Sequence, residues 1–440
     1  MLLWTVNTAR NELDLPESTS SPTPPSPAPN LLVAGGVCLS VLAAFLLLCG
    51  MCSALLYVLV PFVNQNRGST VEANAGLGAL TGMGILFGGV LLWQGVGTLS
   101  GRGMIQAARA FPRVLVFVVV FLLAVSLGAG ALALQSLIKS AQSTTIVAFV
   151  FPPWHVIAAS VPPLALLAYA AHRLGTRSGL RALLVSASWG VLGSTLLAII
   201  AELLIAAVFL LIAAIAVSLA PNSQSLIEQI RSQLALARST NDLAQLSHWM
   251  SDPAILGVLL LYAAVLVPFI EEALKTAVVA FVDPKRTRLA DALLWGMAAG
   301  AGFGLFENLF NTSAAWGLWT VTVILRIGAT IMHVANGATM GRGWYAARVE
   351  GRWNRLFIAY LVSVFFHAAW NAVALLLSAS ATYYLDRQNA SSAASLPAAG
   401  LTLALFVILL VLASSGLVWI VYSVRSASSL EPQPLAERSE

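Results

Sequence analysis

The chain has 440 residues, of which 59% are hydrophobic and only 9% charged. Ordinary soluble domains carry about 25% charged residues. A soluble fold of this composition would leave apolar surface in water at roughly 25 cal/mol per Å², which excludes a cytosolic enzyme, a secreted disulfide scaffold and a nucleic-acid binder; the net charge of +5 fits the arginine excess of cytoplasmic loops in a polytopic membrane protein.

Residues 1–30 are rich in Ser, Thr and Pro and read as a disordered tail. About 20 apolar residues cross a bilayer as a helix. Ten stretches qualify, near 31–63, 75–97, 112–134, 154–172, 183–218, 254–282, 289–311, 319–345, 354–380 and 398–424. The expected fold is all-α, a polytopic membrane helix bundle of about ten transmembrane helices. Cys38, Cys49 and Cys52 all fall in the first stretch, so no disulfide framework is available. The fourth contains Pro152, Pro153, Pro162 and Pro163 and is expected to kink. The fifth is long enough to protrude or break.

Loop arginines set the orientation. Arg102, Arg109 and Arg113, then Arg173, Arg177 and Arg181, then Lys285, Arg286 and Arg288, then Arg348, Arg352 and Arg355 lie in alternate loops. With ten spans these loops share one side, which predicts a multi-pass protein of the cell membrane with both termini cytoplasmic. The longest outside loop, 219–253, spaces Leu226, Ile230, Leu234 and Ala237 as an amphipathic surface helix does. The expected organisation is a tail over 1–30, a five-helix scaffold over 31–218, the outer segment 219–253, a functional core over 254–380, and a last helix with its tail over 381–440.

The core is placed by its ionisable residues. A charge in mid-membrane costs about 2.5–3.5 kcal/mol on insertion scales. The first five spans hold one deep acid, Glu202, whereas spans six to nine hold Glu271, Glu272, Lys275, Glu307, Arg326, His333 and His367. Before pairing, that set costs on the order of 15–20 kcal/mol, more than a purely structural bundle carries without cause.

In span six, Glu271 and Lys275 are four apart and share a helix face, and Glu272 is turned by ~100° from Glu271. Lys275 is expected to pair with one acid and leave the other free. Two adjacent carboxylates at low dielectric do not both ionise readily, and a carboxylate poised to take a proton suits general-base activation of water. In span seven, Gly296, Gly300 and Gly304 form a ridge for close helix approach. Glu307 continues that ridge, with Asn311 one turn further and placed to hold it. Span eight carries Arg326 and His333 seven apart; span nine carries His367 and, one turn on, Asn371. Glu and His side chains near one point can bind zinc or activate water and stabilise an oxyanion without metal. The zincin helix, the Ser-hydrolase elbow and the phosphate-binding Walker loop are all missing.

Taken together, Glu271-Glu272-x-x-Lys275, Phe303-x-x-x-Glu307-Asn308, Arg326 upstream of His333, and His367-x-x-x-Asn371 resemble, in order and spacing, the PrsW family of bacterial membrane proteases, a relative of the CAAX-prenyl proteases. The resemblance covers roughly 254–380. It departs from the CAAX-type relatives at Glu307, where they carry His, and so leaves the metal open. It implies an intramembrane peptidase with Glu271 or Glu272 as general base, Glu271 favoured. Lys275 then tunes the other acid, Glu307, His333 and His367 are the candidate metal ligands with zinc the candidate ion, and His367 and Asn371 hold the oxyanion. The implied substrate is an anti-sigma factor or another single-span protein, in regulated intramembrane proteolysis. A proton-coupled transporter and an inactive helix-binding scaffold are the alternatives. The peptidase reading requires these side chains to converge within ~4–6 Å, close enough to share a water.

Overall fold

A computed structural model of the chain describes residues 29–63, 70–101, 105–138, 141–174, 179–219, 224–225, 228, 231–232, 253–314, 318–387 and 392–430. Nearly all of the expected tail over 1–30 and of the expected surface helix over 219–253 lies outside them. Among the described residues, ten helices are long and apolar enough to cross a membrane. They are α1 (Leu39–Phe62), α2 (Ala73–Leu99), α3 (Val114–Ile138), α4 (Thr144–Leu174), α5 (Leu180–Ile215), α6 (Ile255–Phe281), α7 (Leu289–Thr312), α8 (Trp319–Arg348), α9 (Trp353–Ala381) and α10 (Ala399–Ser429). The only strand-like pairing described is an isolated bridge between Gln106 and Gly179. The chain is thus the all-α membrane bundle that composition predicts.

The layering follows from side-chain size. The most enclosed helices are α7 and α8, with 83% and 61% of their spanning windows buried. They can sit innermost because small residues let neighbours approach. A Cβ at Gly300 would collide with the carbonyl oxygen of His333 on α8, and one at Gly302 with that of Ala187 on α5. The α7 helix is therefore clasped on two faces at backbone distance. Around it, Leu167, Leu183, Leu293, Leu294, Met297 and Ile420 form a core drawn from α4, α5, α7 and α10. By contrast, α1, α3 and the second half of α5 present Leu, Val, Ile and Phe outward, as lipid contact requires.

Three spans contain a π-helical turn: α2 at Met83–Phe87, α5 at Trp189–Ser194 and α6 at Leu261–Leu266. Such turns insert a residue into the helical ladder and often mark functional sites. Those of α5 and α6 border the charged cluster. The α4 helix runs through all four of its prolines as one helix. The long α5 carries its π-turn and an exposed C-terminal half, so it both interrupts its ladder and stands partly clear of the bundle.

Candidate active site

The α6 helix presents the charged triad. Its π-turn at Leu261–Leu266 is followed by Pro268 in the first turn of a short α-helical segment, Val267–Lys275. That segment ends at once in a 3₁₀ turn, Ala277–Phe281. Both ends are pinned. Asn371 Nδ2 on α9 donates to the Ala263 carbonyl inside the π-turn at 2.8 Å. Trp189 Nε1 on α5 donates to the Leu274 carbonyl at 2.9 Å, and Trp344 Nε1 on α8 to Thr276 Oγ1 at 3.2 Å. Glu271, Glu272 and Lys275 are thereby held inward, and all three are buried.

Lys275 Nζ is the centre of the cluster. It donates to Glu272 Oε1 at 2.5 Å and to His333 Nδ1 at 3.0 Å, and it lies 4.4 Å from the centre of the Phe303 ring. Glu271 Oε2 is further away, at 3.8 Å. Both pairings are open on a helix, and the i,i+3 pair with Glu272 is the tight one here. An ammonium only donates. His333 Nδ1 must therefore accept, leaving its proton on Nε2, which donates to Glu307 Oε2 at 2.8 Å. By the same logic His367 Nδ1–H donates to Glu272 Oε1 at 2.8 Å. His367 Nε2 then faces Glu271 Oε2 across 3.6 Å. That oxygen and Glu272 Oε2 are buried with no hydrogen-bond partner.

A second layer fixes Glu307. Arg326 donates to Glu307 Oε2 at 2.6 Å and to Asn308 Oδ1 at 2.9 Å. Asn308 Nδ2 in turn donates to Thr330 Oγ1 at 2.8 Å and to the Ala159 carbonyl at 3.2 Å. Asn308, next to the acid in sequence, braces Arg326 and not Glu307 itself, and Asn311, expected to hold the carboxylate, is exposed. One turn on a helix puts two residues on one face; it does not say that the face is still covered at the helix end.

The structure brings Glu271, Glu272, Lys275, Glu307, His333 and His367 into one buried network. It separates Asn371 from it, committing that amide to the α6 backbone. For metal binding, Glu272, His333 and His367 each offer an atom within 4.8 Å of the others. Glu307 was the acid expected there and is instead paired with Arg326 and His333. One carboxylate and two imidazoles are the ligand types zinc takes, and the unpartnered Glu272 Oε2 adds a free donor. The donor set therefore fits a metal in its chemistry.

Sequence reasoning overlooked His155 on α4. Trp319 Nε1 donates to its Nδ1 at 3.1 Å, so its Nε2–H donates to the Leu309 carbonyl at 3.0 Å. Both ring nitrogens are spent on tying α4 to α7 and α8. The signal was a histidine directly after Pro152-Pro153-Trp154 in an apolar span. Glu202, the one deep acid of the first five spans, has its Oε1 buried without a partner, while Tyr262 of the α6 π-turn donates to its backbone carbonyl at 3.1 Å.

A family model described as PrsW family intramembrane metalloprotease matches residues 178–413, more than half of the chain. The chain belongs to this family. It is a multi-pass membrane hydrolase, a metalloprotease that acts within the bilayer. The match takes in α5 and part of α10, beyond the 254–380 over which the motifs are recognisable. The proton-coupled transporter falls away as a reading. No curated protein and no solved structure matches the chain.

Proposed function

We propose that this PrsW-family protease cleaves a peptide bond of a single-span membrane protein with Glu271 as the general base. One observation carries the choice of acid. Glu271 Oε2 is buried and has no hydrogen-bond partner, whereas Glu272 Oε1 is held by Lys275 and His367. Glu271 Oε2 lies 3.6 Å from His367 Nε2, and a water bound beside this pair can donate to the free carboxylate oxygen. Attack by that water on the scissile carbonyl delivers its proton to Glu271, and the leaving amine takes it up afterwards.

The other residues position this pair. Lys275 and the Nδ1–H of His367 hold Glu272. Arg326 and Glu307 hold His333, with Glu307 in an orienting role and outside the ligand set. Asn371 keeps the α6 π-turn open and leaves the oxyanion to other donors. A zinc ion held by Glu272, His333 and His367 would supply Lewis-acid polarisation of the carbonyl. The positive loops support a cell-membrane protein with both termini in the cytoplasm, and the charged residues support 254–380 as the catalytic core. By family resemblance, an anti-sigma factor is the candidate substrate and regulated proteolysis the setting.

The test is cleavage of a library of single-span helices by the full chain in proteoliposomes, read by mass spectrometry. Glu271→Gln should lower the rate by about 10²–10⁴-fold while the protein stays folded. Undiminished cleavage by the folded variant removes Glu271 from the mechanism.

A further inference from the structure

We infer that Lys275 and the metal ion compete for one set of ligands, so that the lysine gates metal loading of the site. The inference rests on the reading of Glu272, His333 and His367 as ligands and adds to it a residue that opposes the metal.

The geometry is direct. The lysine side chain is wholly buried, and its ammonium donates to Glu272 Oε1 at 2.5 Å and to His333 Nδ1 at 3.0 Å. Glu272 and His333 are two of the three residues of the ligand group. A zinc ion would stand about 2.0–2.2 Å from such oxygen and nitrogen atoms, and so in nearly the same space as Nζ. Two cations cannot share that space at low dielectric, because their repulsion grows as the medium dries. The lone pair of His333 Nδ1 cannot serve both: while it accepts from the lysine it is closed to a metal. Glu272 Oε1 is doubly engaged, by Lys275 and by the Nδ1–H of His367. Of the two Glu272 oxygens, only Oε2 is free.

The exchange is confined to the side chain. The residues on either side of Lys275 are anchored, the Leu274 carbonyl by Trp189 Nε1 and the Thr276 hydroxyl by Trp344 Nε1, which leaves rotation of the flexible four-carbon stem as the motion that clears the site. The aromatic face of Phe303, already 4.4 Å from Nζ, gives the ammonium a surface along which to withdraw. The lysine thus neutralises the donors of the metal-free protein and must be displaced for the metal to enter.

The experiment measures zinc affinity and involves no cleavage. The full chain in detergent is titrated against a chromophoric zinc chelator, alongside Lys275→Met and Lys275→Gln. Each variant removes the charge, and the second keeps a polar end if the first fails to fold. Removal of the competing cation should tighten zinc binding by at least about tenfold, and adding Glu272→Gln should abolish the gain. Zinc binding that is unchanged or weaker in the charge-removed chains overturns the inference, as does zinc binding by none of them. Tight zinc binding by Lys275→Met together with undiminished cleavage by Glu271→Gln would leave the gate standing and remove only the choice of base.

Discussion

Glu271 and Glu272 are neighbours in sequence and both are buried, yet neutralising each should have opposite consequences for stability. Glu272 Oε1 lies 2.5 Å from Lys275 Nζ, and both side chains are fully enclosed. Glu272→Gln keeps an acceptor for one hydrogen bond but strips the charge that compensates a buried ammonium. Breaking a buried pair from one side costs about 3–5 kcal/mol, since the remaining charge has no water to return to. Glu271 stands 3.8 Å from the same ammonium and its buried oxygen accepts no hydrogen bond. Glu271→Gln removes an unpartnered carboxylate, so the loss is at most about 1 kcal/mol and relief of desolvation can make it a gain. Equilibrium unfolding in mixed detergent–SDS micelles, followed by the fluorescence of the chain's 12 tryptophans, reads the difference. Glu272→Gln should unfold at distinctly lower SDS, and Glu271→Gln at or above the point of the unaltered chain. Equal stability of the two variants would refute the assignment of Lys275 to Glu272.

Two further outcomes test the supports of the site. Arg326→Met removes the cation from Glu307 and a donor from Asn308; as the side chains of the pair are 16% and 21% exposed, water softens the cost to about 1–3 kcal/mol. A double-mutant cycle with Glu307→Gln in the same unfolding assay should return a clear coupling, and additive losses would mean that the pair does not interact. Gly300→Val places side-chain atoms against the His333 carbonyl; overpacking typically costs about 1–3 kcal/mol. By parting α7 from α8 it should stretch the His333–Glu307 contact and lower cleavage, although it deletes no charged group, and unaltered cleavage would show that this close approach is dispensable.

The spans were legible because the bilayer imposes one rule, about 20 apolar residues per crossing, and each of the ten expected stretches overlaps one of the ten helices. The set of converging residues was legible for a related reason: charges this costly have few places to be. Partner choice was not legible. Spacing says that Lys275 can reach either acid, and the rotation of α6 against α8, which decides between them, comes from contacts with Trp189, Trp344 and Asn371 in other helices. Asn371 itself shows the limit. One turn from His367 it reads as a companion in chemistry, yet the π-turn of α6 exposes the Ala263 carbonyl on that side and takes the amide. No feature of the local sequence announces a π-turn. Asn308 and Asn311 differ in the same way, since the bundle covers one and leaves the other bare.

The charge inventory of the cluster explains why one acid remains free. Glu271, Glu272 and Glu307 are three carboxyls, and Lys275 and Arg326 are two cations. Arg326 is committed to Glu307 and Lys275 to Glu272, by the shortest contacts in the network. The acid without a close cation of its own is Glu271, whose Oε2 accepts no hydrogen bond and lies 3.6 Å from a histidine nitrogen. A buried bundle selected for stability alone would pair all three or replace the third with an apolar residue, because an unpaired buried carboxyl is costly. The same inventory accommodates a divalent metal. With the lysine withdrawn from the ligands, an ion on Glu272, His333 and His367 puts two positive charges where one stood, and together with Arg326 these three charges match the three carboxylates. The surplus acid and the mobile cation are therefore two sides of one design. Glu271 can serve as base because no fixed charge claims it, and Lys275 can leave Glu272 because a metal can take its place.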